Sequence, residues 1–276
     1  MIYMIIREVE CKSILTKSKI SNYAVNCYVG CMHSCVYCYA RYMKRFTGHN
    51  EPWGQFVDVK INSPDILKKQ VKKAKVGEVF MSSACDGWQQ IERKYRVSRQ
   101  CLKILLENGF HVSILTKSCV IEDDLDIIEG SDTELGFTLT TFDDKLCRKI
   151  EPRASLTKYR IETLKIAKKK GIKIWAFLGP FMPFLSDTDE NIDSLFSNLA
   201  EIGLDYIYVD KLNPRPCVWE SIKAFLIGNY PYLLRNYGKI MYDQQYREKY
   251  INNLKQLILS KAKRYDLSQK ISMVFS

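Results

Sequence analysis

Six times along this chain a short β-branched or aromatic run gives way to a polar loop and then to an amphipathic helical stretch. The pattern predicts strands at 22–28, 78–83, 111–115, 135–140, 173–178 and 206–209. Helices are expected at 64–74, 98–108, 121–128, 155–170, 189–202 and 219–225. Ser63 before Pro64 reads as a helix cap, and Gly171 and Gly203 read as helix stops. Between the first strand and its helix lies an insertion, 39–62, with the polar loop Thr47-Gly48-His49-Asn50. A further helix at 242–265 stands outside the repeat. Six strand–helix units in series imply an α/β fold with a parallel sheet and right-handed crossovers, either an open sheet or part of a barrel.

Composition places limits on this picture. The chain has 276 residues, 46% of them hydrophobic, enough for one large domain with decorations. We divide it into an N-terminal extension (1–21), an α/β core (22–228) and a basic C-terminal helical extension (229–276). The most apolar run, 174–185, is too short for a membrane span and is broken by Gly179, Pro180 and Pro183. The first ten residues carry Arg7, Glu8 and Glu10 and lack a small-residue cleavage site, so a cytoplasmic protein without membrane contact is expected. The formal net charge of +11 favours an acidic partner such as nucleic acid, although lysines this dispersed read first as a solvated surface. From Pro231 onward nine Lys/Arg face three Asp/Glu, so an electrostatic footprint is expected there. No oligomerisation signal stands out.

Reactive residue types gather in the loops after the expected strands. In order these hold Cys31, Cys35 and Cys38; Cys85 and Asp86; Thr116 and Lys117; Thr140 and Asp143; Gly179 and Pro180; then Asp210, Lys211, Asn213 and Arg215. Barrel-like α/β folds build their sites from these carboxyl-end loops. Loop polarity alone explains the Asp and Asn residues, but not three closely spaced cysteines. Their C-x3-C-x2-C spacing brings three thiolates onto one short loop. Four-iron clusters are usually closed by four cysteines, so three would leave one iron open to a further ligand. Zinc on Cys27, Cys31, His33, Cys35 and Cys38 is the rival, but structural zinc usually joins two separated ligand pairs and no second pair is present. A redox pair of Cys35 and Cys38 is the other rival. Spacing alone favours the cluster. Cys11, Cys101, Cys119, Cys147 and Cys217 read as packing residues, Cys27 as packing or a reserve ligand, and His33 as a donor beside the cluster loop.

An aromatic residue before the last cysteine, after the first strand of a six-unit chain, resembles the signature of the radical S-adenosylmethionine (SAM) enzymes. The longer form Gly-Cys-x-His-x-Cys-x-Tyr-Cys-Tyr-Ala-Arg is similar to the spore photoproduct lyase-like branch. So are Leu115-Thr116-Lys117, Phe137-Thr138, Glu151-Pro152-Arg153-Ala154-Ser155 and Arg160-Ile161-Glu162. The resemblance covers about residues 22–215 and implies a partial TIM barrel, (β/α)6. It implies a [4Fe–4S] cluster on Cys31, Cys35 and Cys38 that cleaves S-adenosyl-L-methionine to a 5′-deoxyadenosyl radical. By the same resemblance Lys117 lies near the methionine carboxylate, and Thr138 and Gly179 contact the cofactor. Cys85 corresponds to a hydrogen-atom donor, and Tyr37 and Tyr39 to a radical relay. An external one-electron donor of flavodoxin or ferredoxin type and a nucleic-acid substrate, for repair or modification, are also implied. Two departures leave the substrate open. Cys85 runs into a short Asp86-Gly87-Trp88-Gln89-Gln90 loop, and the segment after Arg215 does not match the lyase. A peptide, protein or small molecule is the alternative substrate, and a non-catalytic zinc or nucleic-acid-binding module the alternative role.

Overall fold

The computed structural model describes residues 4–213 and 215–275; the first three positions of the N-terminal extension, Pro214 and the final residue lie outside them. Its strands are β1 (Ile5–Val9), β2 (Thr16–Lys17), β3 (Tyr23–Val25), β4 (Tyr28–Val29), β5 (Phe56–Lys60) and β6 (Glu78–Met81). They continue as β7 (His111–Thr116), β8 (Thr133–Leu139), β9 (Lys173–Phe181), β10 (Tyr206–Lys211) and β11 (Ile271–Met273). Eight form one sheet in the order β11-β10-β9-β8-β7-β6-β3-β2. The run from β3 through β10 is parallel, as the repeat predicts, with β2 antiparallel at one edge and β11 parallel at the other. Among the described residues the two edges do not pair, so the sheet is a partial barrel and not a closed one.

Side-chain alternation explains both faces of this sheet. Val79, Val112, Ile114, Leu135, Phe137, Ile174, Ala176, Ile207 and Val209 pack outward in a core shared with helix residues such as Leu102, Leu164 and Leu195. Their neighbours Phe80, Ser113, Leu115, Thr138, Trp175, Phe177 and Tyr208 line an inner cavity. The rings of Phe80 and Trp175 lie 6.4 Å apart. Their strands are three positions apart, about 14 Å in a flat sheet, so the sheet curls around its interior. Gly136 permits this: a Cβ there would sit 2.2 Å from the Trp175 ring.

The helix Asp189–Ile202 forms over the expected residues, whereas that expected at 121–128 divides into a 3-10 turn, Cys119–Asp124, and a single α turn, Leu125–Ile128. The first expected strand also divides. Asn26 turns the chain out of the main sheet, accepting from the Ala84 N–H at 2.8 Å and donating to the Ser83 hydroxyl at 2.9 Å. Beyond this turn the chain enters β4, which joins β5 and β1 in a small sheet of order β1-β5-β4. β5 comes from the insertion and β1 from the N-terminal extension. β1 lacks an alternating pattern because most of its residues face solvent.

Two of the nine cations of the C-terminal extension are used within the fold. On the helix Gln244–Arg264, Lys261 lies 2.7 Å from Asp189 and 3.0 Å from Asp193, and Arg264 lies 2.9 Å from Asp193. Those cations neutralise the acidic first turns of the helix Asp189–Ile202. They are a docking contact within the fold.

Candidate active site

The inner cavity has a volume of about 570 Å³. Cys31, Cys35, Cys38, Tyr37, Tyr39, Cys85, Lys117 and Thr138 all line it. The eight come from the cysteine loop and the carboxyl ends of β6, β7 and β8, far apart in sequence.

The cysteine loop is fixed from several sides. Gln89 accepts from the Met32 N–H at 2.7 Å and donates to the Gly30 carbonyl at 3.3 Å. Arg41 donates to the Cys35 carbonyl at 2.9 Å, and the Val36 N–H donates to the Ile150 carbonyl at 2.9 Å. The thiols themselves form no disulfide. Burial pushes the Cys35 thiol up to about 12 and the Cys31 thiol well above its ordinary value, with Asp86 and the neighbouring cysteines adding to the effect at Cys31. Thiolates in this place need a positive partner to exist. His33 is fully buried, its ring nitrogens lack hydrogen-bond partners, and burial lowers its pKa to about 4, so it is neutral.

Asp86, to which sequence reasoning gave no role, organises the opposite wall. Its carboxylate accepts from the Thr116 hydroxyl at 2.7 Å, the Trp88 N–H at 2.9 Å and the Lys117 N–H at 2.8 Å. Asp86 also lies 3.4 Å from His33. The Lys117 ammonium is thereby presented at the cavity. Burial opposes its charge, but Cys35, Glu151 and Asp86 outweigh that and raise its pKa. Cys85 donates to the Tyr28 carbonyl at 3.0 Å, and burial pushes its thiol up to about 12, so it keeps its S–H. Thr138 is buried, and its carbonyl accepts from Arg160 at 2.7 Å. The two tyrosines differ. Tyr37 is buried and donates to Glu151, whereas Tyr39 is 49% exposed and donates to the Ser83 carbonyl.

Gly179 stands apart from the other expected site residues. Pro180 lines the cavity and Gly179 does not. Its φ is +113°, and a Cβ would stand 2.2 Å from the Asp210 carbonyl oxygen, so strand packing against β10 already requires glycine there. Cys27 is buried away from the cavity with its thiol 3.9 Å from the Val97 carbonyl, a packing contact.

Outside this cavity runs a groove of about 810 Å³, walled by Arg41, Lys44 and Arg45 from the 3-10 helix Tyr39–Phe46 and by Arg215 and Cys217 near the start of the helix Pro216–Asn229. Among the described residues none of these four cations has a carboxylate within 4.0 Å. Arg45 stacks on Phe46, 4.6 Å from the ring centre, and that ring is 66% exposed. The first turn of the same 3-10 helix, Tyr39 and Ala40, lines the inner cavity. One helix therefore separates the two spaces. The spacing of positions 41, 44 and 45 was the available signal for this surface.

Residues 25–199 match the family model described as Radical SAM superfamily. The chain belongs to the radical SAM superfamily. It is 32% identical to an uncharacterized protein of Methanocaldococcus jannaschii over 90% of this chain and 92% of that one. It is 31% identical to an uncharacterized protein of Acidianus two-tailed virus over 74% of this chain and 71% of that one. Among solved structures, spore photoproduct lyase complexed with dinucleoside spore photoproduct superposes with a TM-score of 0.71 at 15% identity, covering 98% of this chain and 82% of that one. The Streptococcus suis protein SuiB bound to precursor peptide SuiA gives 0.57 at 13% identity, over 99% and 49% of the two chains. These likenesses show a shared fold. As a radical SAM protein this chain is an enzyme whose family uses SAM and an iron–sulfur cluster. The residues present suit that pair: three thiols on one cavity, two of which (Cys31 and Cys35) burial keeps protonated without a metal, a neutral His33 whose ring nitrogens make no hydrogen bond, and a cationic Lys117 on the same cavity. No helix among the described residues is long and apolar enough to cross a membrane.

Proposed function

We propose that this protein cleaves SAM reductively at a [4Fe–4S] cluster held by Cys31, Cys35 and Cys38, and directs the resulting radical at a nucleic acid, for repair or modification. Bound together, the cluster and SAM supply a 5′-deoxyadenosyl radical after one electron arrives from a flavodoxin- or ferredoxin-like donor. The protein's share is recognition, orientation and exclusion of water. The Lys117 ammonium pairs with the carboxylate of the methionine moiety, and the backbone around Thr138 gives the cofactor a flat approach. The sheet interior shields the reacting centre from solvent. Cys85, whose S–H bond is weak and whose side chain lines the same cavity, gives a hydrogen atom to the substrate radical, with Tyr37 and Tyr39 as relays. The Cys85→Ala variant should then form 5′-deoxyadenosine while changing the substrate product; an unchanged product removes Cys85 from the mechanism.

The observation that carries the substrate reading is the groove of unpaired cations at the rim of the cavity. Arg41, Lys44, Arg45 and Arg215 can neutralise successive phosphates, and the exposed Phe46 offers a face on which a base stacks. The testing experiment is anaerobic reconstitution with iron and sulfide, reduction with SAM present, and assay of 5′-deoxyadenosine. Binding to intact and ultraviolet-irradiated DNA is then measured across a salt series. Absence of both cluster and 5′-deoxyadenosine defeats the radical chemistry. Production of 5′-deoxyadenosine with no salt-dependent nucleic-acid binding defeats the substrate reading alone.

A further inference from the structure

The segment Glu151-Pro152-Arg153, and Arg160 after it, have no part in the chemistry above, yet they grip the cysteine loop on both sides of Cys35. Arg153 donates from its backbone to the His33 carbonyl at 3.4 Å and from its side chain to the Gly54 carbonyl at 2.7 Å. The Ile150 carbonyl takes the Val36 N–H. Glu151, 1% exposed, accepts from the Tyr37 hydroxyl and, at 3.1 Å, from Thr140. Behind it stands Arg160, wholly buried, whose guanidinium bonds Glu151, the Ser155 carbonyl at 2.7 Å and the Thr138 carbonyl at 2.7 Å. A buried ion pair is costly to desolvate and is a poor device for stability alone. Here it holds Tyr37, one of the two residues between Cys35 and Cys38, to the end of β8.

We propose that Glu151, clamped by Arg160, is a positioning residue for the cluster: it holds the cysteine loop in its binding shape and places a fixed negative charge beside it. The proposal rests on the cluster reading of the three cysteines. Reduction adds one electron to the cluster without making or breaking a bond, so a nearby carboxylate disfavours the reduced state and keeps the midpoint potential low. Arg160 bonds the carboxylate oxygen that Tyr37 does not take, and compensates only in part.

The test compares native protein with Glu151→Gln and with the double variant E151L/R160M, each reconstituted anaerobically and titrated with dithionite while the reduced cluster is followed by electron paramagnetic resonance. Gln keeps the acceptor for Tyr37 and removes only the charge, so its midpoint should shift to more positive potential. The double variant buries no unpaired charge and should fold, with an apo-protein melting temperature close to native. Lacking the tie to Tyr37, it should take up less than half the native iron per chain. An unshifted midpoint in Glu151→Gln overturns the proposal, as does native iron uptake by the double variant if Glu151→Gln does not fold. Native protein that takes up no iron overturns the cluster reading and this proposal with it.

Discussion

The two ends of the parallel strands treat charge in opposite ways. At the amino end, Glu134 of β8 accepts from the Tyr206 hydroxyl of β10 and lies 2.9 Å from Lys173 of β9. His111 of β7 lies 2.8 Å from Asp132 and 3.9 Å from Glu134. Glu78, His111 and Glu134 bring ligand-type atoms within 4.8 Å of one another, but Lys173 already supplies the positive charge. At the carboxyl end several buried groups are left open: two buried cysteines, a histidine whose ring nitrogens make no hydrogen bond and a lysine facing a cavity. Polar groups that satisfy one another stabilise a fold, each exposed pair contributing about 0–1 kcal/mol. Polar groups left open in a dry place cost stability and mark where something else binds.

Perturbing the two ends should separate these roles. The largest effect is expected for Cys35→Ala, which should abolish both iron incorporation and 5′-deoxyadenosine formation, measured by iron analysis and chromatography. Retained iron with native stoichiometry would point to a different ligand set. Next, Lys117→Met should weaken SAM binding by about 10–100-fold, corresponding to about 1.5–3 kcal/mol for a hydrogen bond between charged groups. Equilibrium binding to the reconstituted protein reads this out. The triple variant R41Q/K44Q/R45Q should lower the slope of log affinity against log salt by about 2–3 units for a nucleic-acid ligand. The smallest effect belongs to the amino end. Lys173→Met should cost about 0–1 kcal/mol, read by thermal melting, with iron uptake unaltered.

That last effect has a pH signature. Burial pushes the Glu134 carboxyl up, but the Tyr206 hydroxyl and Lys173 more than offset it and hold it below its ordinary value. A depressed carboxyl contributes stability above its unfolded pKa, about 4.3, and loses it as pH falls through the folded value. The melting difference between native and Lys173→Met protein should therefore be full at pH 6 and shrink below pH 4. A difference independent of pH would place the effect in packing.

Much of the fold was legible because period-two alternation and helix ends are local. β7, β9 and β10 begin where the pattern places them, and the helix Asp189–Ile202 matches throughout. The small sheet was not legible, since β1 has little buried face and β4 is two residues long. The cysteines, Lys117 and Cys85 could be picked out by type and by loop. Glu151 could be seen in a motif but given no role, because its partner Tyr37 is 114 positions away. The Lys/Arg count in the tail was legible but not its pairing: Lys261 and Arg264 turn to Asp189 and Asp193, a contact between residues some 70 positions apart that composition does not show.

The room inside the barrel depends on Gly136. The indole of Trp175 lies where a side chain at that position would be, so the reach of the cavity below the cysteine loop is set by an atom the sequence withholds. A single methyl group there would collide with the indole and force it to move. Within this fold, the space available to a guest can thus be adjusted one carbon at a time, from a residue that never touches it.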